Sequence, residues 1–273
     1  MLAYDFMRRA FIVGTLLAII IPMIGVIMIN RKTSMIGDAL SHTSLAGIGI
    51  GLILGQNPVR WSLIICVIAA FATEIIRKKF KEYGDMATAI IMSTGIGLAA
   101  ILSDFSPGGT SFESYLFGSI TTLTKVDLYM AIAVSLAVIF ISLYLYWALL
   151  YISIDPDMAR LVGVKVDLIS GIFTFLTAIT VAISAKMVGA LMVTSLMVIP
   201  VATSLLIGRS YKQTYFLSII FAIISLLSGI ILSYNYGIKT GGATVVLAVI
   251  GLVLVSALSY FYKKIIKNKK DAK

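Results

Sequence analysis

The stretch MIGDALSHTSLAGIGIGLIL, residues 35–54, settles the architecture. At 1.5 Å of rise per helical residue it is long enough to cross the ~30 Å hydrocarbon core of a bilayer. Only two of its side chains ionise, Asp38 and His42, and His42 is the only histidine in the protein. The composition around it agrees. Of 273 residues, 60% are hydrophobic and only 12% are charged, about half the charged share of soluble domains. Mean hydropathy is +1.04. A soluble fold cannot bury that much apolar surface, so the chain reads as an integral membrane protein. Disorder, fibrous repeats and a disulfide-stapled secreted domain are excluded. The single cysteine, Cys66, lies in an apolar run without an intrachain partner.

Outward from this segment, nine apolar runs are candidate spans: 10–29, 35–54, 61–76, 87–102, 127–147, 168–184, 187–207, 215–232 and 243–262. The separation near Ala185-Lys186 is the weakest, and eight to ten spans fit the pattern. Helices satisfy their own backbone hydrogen bonds in lipid, and no alternating strand pattern occurs. The fold class is therefore an all-α, polytopic transmembrane helical bundle, with residues 1–273 forming one transmembrane domain. With the N-terminus outside, all but six of the 22 Lys and Arg (Arg8, Arg9, Arg60, Lys125, Lys186 and Lys239) fall on inner loops or the tail. That is the positive-inside pattern, and it accounts for the net charge of +10. No aromatic residues interleave with the basic ones, so nucleic acid is not an expected partner. The first run is retained as a span, since no small-residue cleavage site follows it.

A spacing of four places Asp38 and His42 on one helix face. At about 100° per residue, Gly47, Gly51 and Gly55 fall on the opposite side as a small-residue stripe for close helix packing. Ionisable groups in a membrane helix are costly and should face a wet path or a partner. Carboxylate oxygen plus imidazole nitrogen suits zinc, and manganese also accepts it. Two ligands are too few for a four-coordinate site; a twofold dimer would supply four. The plainer alternative has His42 bonded to Ser41, Thr43 or a carbonyl, with Asp38 capping the helix. Elsewhere, Glu74 is expected to pair at an inner interface with Arg77 and Lys78. Asp104 and Glu113 fall in a solvated outer loop, 103–125, containing Ser106-Pro107-Gly108-Gly109. Lys186 is expected to snorkel to the outer interface.

The inner loop 153–167 reads as a short helix near 155–163. Asp155 is its N-cap, Pro156 suits its first position, and Gly163 suits the position just past its end. It either floats at the lipid interface or is a handle for a cytoplasmic motor. No phosphate-binding loop, nucleophile elbow or zinc-protease motif occurs, so the chain is not itself an ATPase or other enzyme.

Several stretches resemble the membrane permeases of bacterial zinc and manganese ABC importers. They are Gly37-Asp38-Ala39-Leu40-Ser41-His42 with Leu45 and Gly47; Leu116-Phe117-Gly118-Ser119-Ile120; Asp155-Pro156 with Ala159 and Gly163; Val188-Gly189-Ala190-Leu191-Met192-Val193 and Ile199-Pro200-Val201-Ala202-Thr203; and Leu232-Ser233-Tyr234 with Thr240-Gly241. The resemblance implies a multi-pass homodimer in the bacterial plasma membrane. It also implies two cytoplasmic ATPase subunits, an extracytoplasmic metal-binding protein and no permanently bound cofactor. It makes Asp38 and His42 metal contacts, and Asp155, Pro156, Ala159 and Gly163 part of a coupling helix. Manganese members often carry a proline shortly after the histidine, where this chain has Leu45-Ala46-Gly47, so zinc is the expected cargo, with manganese or iron as the alternative. A secondary transporter using the pair as a proton relay is the rival from another class; its usual inverted repeats and broken helices are not evident.

Overall fold

A computed structural model describes residues 4–80, 83–105, 109–118 and 123–271. The described residues form twelve helices: α1 (Asp5–Asn30), α2 (Met35–Ile53), α3 (Pro58–Lys79), α4 (Gly84–Phe105), α5 (Gly109–Phe117), α6 (Lys125–Tyr144), α7 (Tyr146–Ile154), α8 (Pro156–Leu161), α9 (Val166–Met187), α10 (Ala190–Ile207), α11 (Tyr211–Tyr236) and α12 (Thr240–Asp271). Eight are long and apolar enough to cross a membrane: α1, α2, α3, α4, α6, α9, α11 and α12. The ninth expected span is α10, an apolar helix of 18 residues. It is short because the chain breaks at Val188-Gly189, not at Ala185-Lys186, and Gly189 takes a φ of 97°.

The helices are layered. α1, α2 and α9 are the most enclosed spans, whereas α4 and α12 turn most of their surface outward. α10 packs against α1, α2, α9, α11 and α12, and α2 is held between α3, α4 and α10. The main core joins α1 residues such as Leu17, Ile21 and Ile24 to Val181 of α9, Leu196 and Met197 of α10 and Leu226 of α11. α2 fits closely against α3 because a Cβ on Gly47 would lie 2.6 Å from Ser62 Cα, and one on Gly51 would lie 2.6 Å from Pro58 Cα. Gly55 does not extend this stripe. It lies beyond the end of α2 with a φ of 62° and no atom within 4 Å of an added Cβ, so it serves the turn.

The outer loop is also more ordered than expected. Its middle is α5, whose Phe112, Tyr115 and Leu116 follow helical spacing and pack onto Leu45 and Ile48 of α2, Ala99 of α4 and Ala185 of α9. Burial, aided by the charge of Asp127, raises the Tyr115 phenol above its ordinary pKa. Asp104 lies in the last turn of α4 and Glu113 belongs to α5; Ser106-Pro107-Gly108 and Ser119-Ile120 lie outside the described residues. At the end of α5, the backbones of Gly118, Gly189 and Gly241 converge. An added Cβ on Gly118 would strike Val188, one on Gly189 would strike Phe117, and one on Gly241 would strike both. Three separate sequence stretches thus form one backbone junction.

Candidate functional site

From Gly37 to Gly49 every residue of α2 is buried except Asp38 and His42, which are partly open. Helical spacing puts them on one face, one turn apart. Asp38 does not cap the helix. The N-cap is Ser34, which makes no side-chain cap bond, and Asp38 sits in the first turn, where the helix dipole favours a carboxylate. Its Oδ1 accepts a hydrogen bond of 3.2 Å from the Thr194 hydroxyl of α10. The approach is possible because Gly37 lacks a side chain: an added Cβ would sit 3.1 Å from Met197 Sδ and 3.3 Å from Thr194 Cγ2.

Among the described residues, no hydrogen bond joins His42 to either neighbouring hydroxyl. Thr43 donates to the carbonyls of Ala39 and Leu40, at 3.1 and 3.0 Å. The Ser41 hydroxyl is buried with no partner among the described residues. The other polar groups nearby are engaged in packing contacts, with Ser44 bonded to Ser62 at 2.8 Å and Cys66 Sγ to the Leu40 carbonyl at 3.2 Å. The Asp38 carboxylate thus faces α10 through Thr194, and His42, one turn further along α2, is partly open. Among the described residues, no group of three or more His, Cys, Asp or Glu is placed to hold an ion.

The basic end of the bundle carries a second feature. Asp155 Oδ1 accepts from the backbone N–H groups of Asp157 and Met158, at 2.9 and 3.1 Å, and Pro156 opens α8. Gly163 follows with a φ of 85°, and the Val164 N–H returns to the Ala159 carbonyl at 3.0 Å. Ala159 is buried, while Met158, Leu161 and Val162 are exposed. This cap holds an apolar, outward-facing turn on a short helix. Asp167 ties it to the bundle, pairing with Lys78 at 2.8 Å and with Arg160 at 3.7 Å. Lys78 thus pairs with Asp167 and not Glu74; Glu74 instead shares a small cavity of about 20 Å³ with Arg31 and Arg77.

At the opposite end sequence reasoning missed an ion pair. Lys186 does not snorkel outward: its Nζ lies 2.6 Å from Asp127 Oδ2, with side chains only 15% and 10% exposed. Asp127 also closes a capping box with Thr124 at the start of α6. The three-residue spacing from Thr124 to Asp127 at the head of the apolar run was the available signal for the cap; nothing local pointed to Lys186.

The ABC 3 transport family matches residues 3–259, almost the whole chain. The chain belongs to this family. It is accordingly a multi-pass membrane protein of the bacterial plasma membrane, built as an ABC permease. A Treponema pallidum protein named as a probable metal transport system membrane protein is 33% identical over 95% of this chain and 97% of its own length. The zinc uptake membrane protein ZnuB of Haemophilus influenzae is 29% identical, covering 92% of this chain and 97% of its own. The manganese transport membrane protein MntC of Listeria monocytogenes is 27% identical, covering 92% and 89%. Among solved structures, PsaBC from Streptococcus pneumoniae in complex with Fab superposes with a TM-score of 0.83 over 92% of this chain and 91% of that one, at 24% identity. That likeness speaks for the fold.

Proposed function

We propose that this chain is the permease of an ATP-dependent importer for a divalent transition metal, zinc in the first instance, with Asp38 and His42 as a transient transfer site. The observation that carries the reading is the partly open Asp38–His42 pair on the otherwise buried stretch of α2 from Gly37 to Gly49. Two such pairs, one from each copy of a homodimer, supply the four donors that tetrahedral zinc takes. An extracytoplasmic binding protein delivers the ion, and cytoplasmic ATPase subunits engage α8 through its exposed apolar turn. Two labile donors per chain suit a step that must release its cargo. Binding requires a neutral imidazole and an ionised carboxylate, so protons compete with the metal.

Manganese is the second reading, favoured by the comparable similarity to named zinc and manganese proteins. Reconstitution with a partner ATPase in liposomes tests both. ATP-dependent accumulation of radioactive zinc, faster than manganese at equal concentration, is the expected result. Preferential manganese uptake reassigns the cargo. Uptake without any ATPase rejects the ABC reading in favour of a secondary transporter.

A further inference from the structure

We infer that Thr194 is a positioning residue that sets metal preference by holding the Asp38 carboxylate in a one-oxygen mode; the inference rests on the transfer-site reading above. The Thr194 hydroxyl donates to Oδ1 of Asp38 at 3.2 Å, across 156 positions of sequence. Its methyl group lies toward Gly37, where an added Cβ would sit 3.3 Å from Thr194 Cγ2. A β-branched side chain on a helix is restricted at χ1. The donated bond occupies a lone pair of Oδ1 and leaves Oδ2 as the unencumbered oxygen of the carboxylate.

That division matters for the ion. Tetrahedral zinc is satisfied by four donors, so one oxygen from each carboxylate and one nitrogen from each imidazole complete its shell. Manganese favours a six-donor, oxygen-rich shell, and a carboxylate free to chelate through both oxygens serves it better. Thr194 thereby tilts the site toward zinc without touching the ion. Hydrogen-bonding partners of metal ligands commonly change affinity by about 10–100-fold. Thr194 is also the contact through which α10 meets the site, directly beyond the backbone junction at Gly189.

The test compares uptake of radioactive zinc and manganese by the reconstituted complex carrying Thr194→Val, Thr194→Ser or Asp38→Asn. Valine keeps the branched shape and removes the hydroxyl; serine keeps the hydroxyl. Thr194→Val should raise the KM for zinc by about 10-fold or more and lower the zinc-to-manganese ratio, while Thr194→Ser stays near wild type. Thr194→Ala repeats the comparison without the second branch, should valine impair folding. Unchanged KM values and ratio in the valine and alanine variants overturn the inference, as does an equal fall for both metals. Asp38→Asn separates the two levels. If it transports normally, the transfer site itself is wrong; if it fails while Thr194→Val is normal, only the role of Thr194 is wrong.

Discussion

Asp38 and His42 were legible from sequence because an ionisable pair four residues apart is conspicuous in an apolar segment. Their surroundings were not, since Thr194 is distant in the chain and its hydroxyl is one of many in apolar runs. Asp38→Asn and His42→Ala should each abolish or sharply reduce metal uptake while the complex still assembles, because both side chains are partly open and neither belongs to a hydrophobic core cluster. Matched uptake and ATPase assays on each variant check this; wild-type uptake in both would make the pair structural. Gly51 behaves differently. A leucine there would drive into the backbone of Pro58, and overpacking of this kind costs about 1–3 kcal/mol. The expected outcome for Gly51→Leu is a lower melting temperature and poorer assembly in detergent, with the metal preference of the surviving protein unchanged.

The long helices were readable from hydropathy, and α8 from its punctuation of Asp155, Pro156 and Gly163. The capped geometry confirms that local signal. What the sequence concealed were elements defined by distant partners. α5 was hidden by Ser106-Pro107-Gly108-Gly109, although its apolar face finds a groove on α2, α4 and α9. α10 was assigned too early a start because the apolar run continues through the break. If α8 transmits the motion of an ATPase, its geometry should matter more than its stability. Gly163 has a φ of 85° and open space around it, so Gly163→Val introduces backbone strain and no clash. This variant should insert and bind its ATPase but hydrolyse ATP without matching uptake. The ratio of metal moved to ATP consumed reads it, and normal coupling would leave α8 as an interfacial helix only.

Across the whole molecule, charged contacts hold the two ends of the bundle while α2 carries its open pair between them. Lys186 and Asp127 join α9 to α6 just before the backbone junction that launches α10. Removing one partner leaves the other charge buried, which costs about 3–5 kcal/mol. Lys186→Met should therefore lower thermal stability strongly, and Lys186→Met with Asp127→Leu should recover much of the loss; equal melting temperatures for wild type and the single variant would show that the pair bears little. In the proposed transfer site two copies of the chain meet, each contributing Asp38 and His42. Zinc binding to the purified permease, followed by titration and zinc-edge X-ray absorption, addresses that directly. A shared transfer site predicts one zinc per two chains, in a four-coordinate nitrogen and oxygen shell containing imidazole, lost in His42→Ala. One zinc per chain, or a shell without imidazole that survives in His42→Ala, would contradict it.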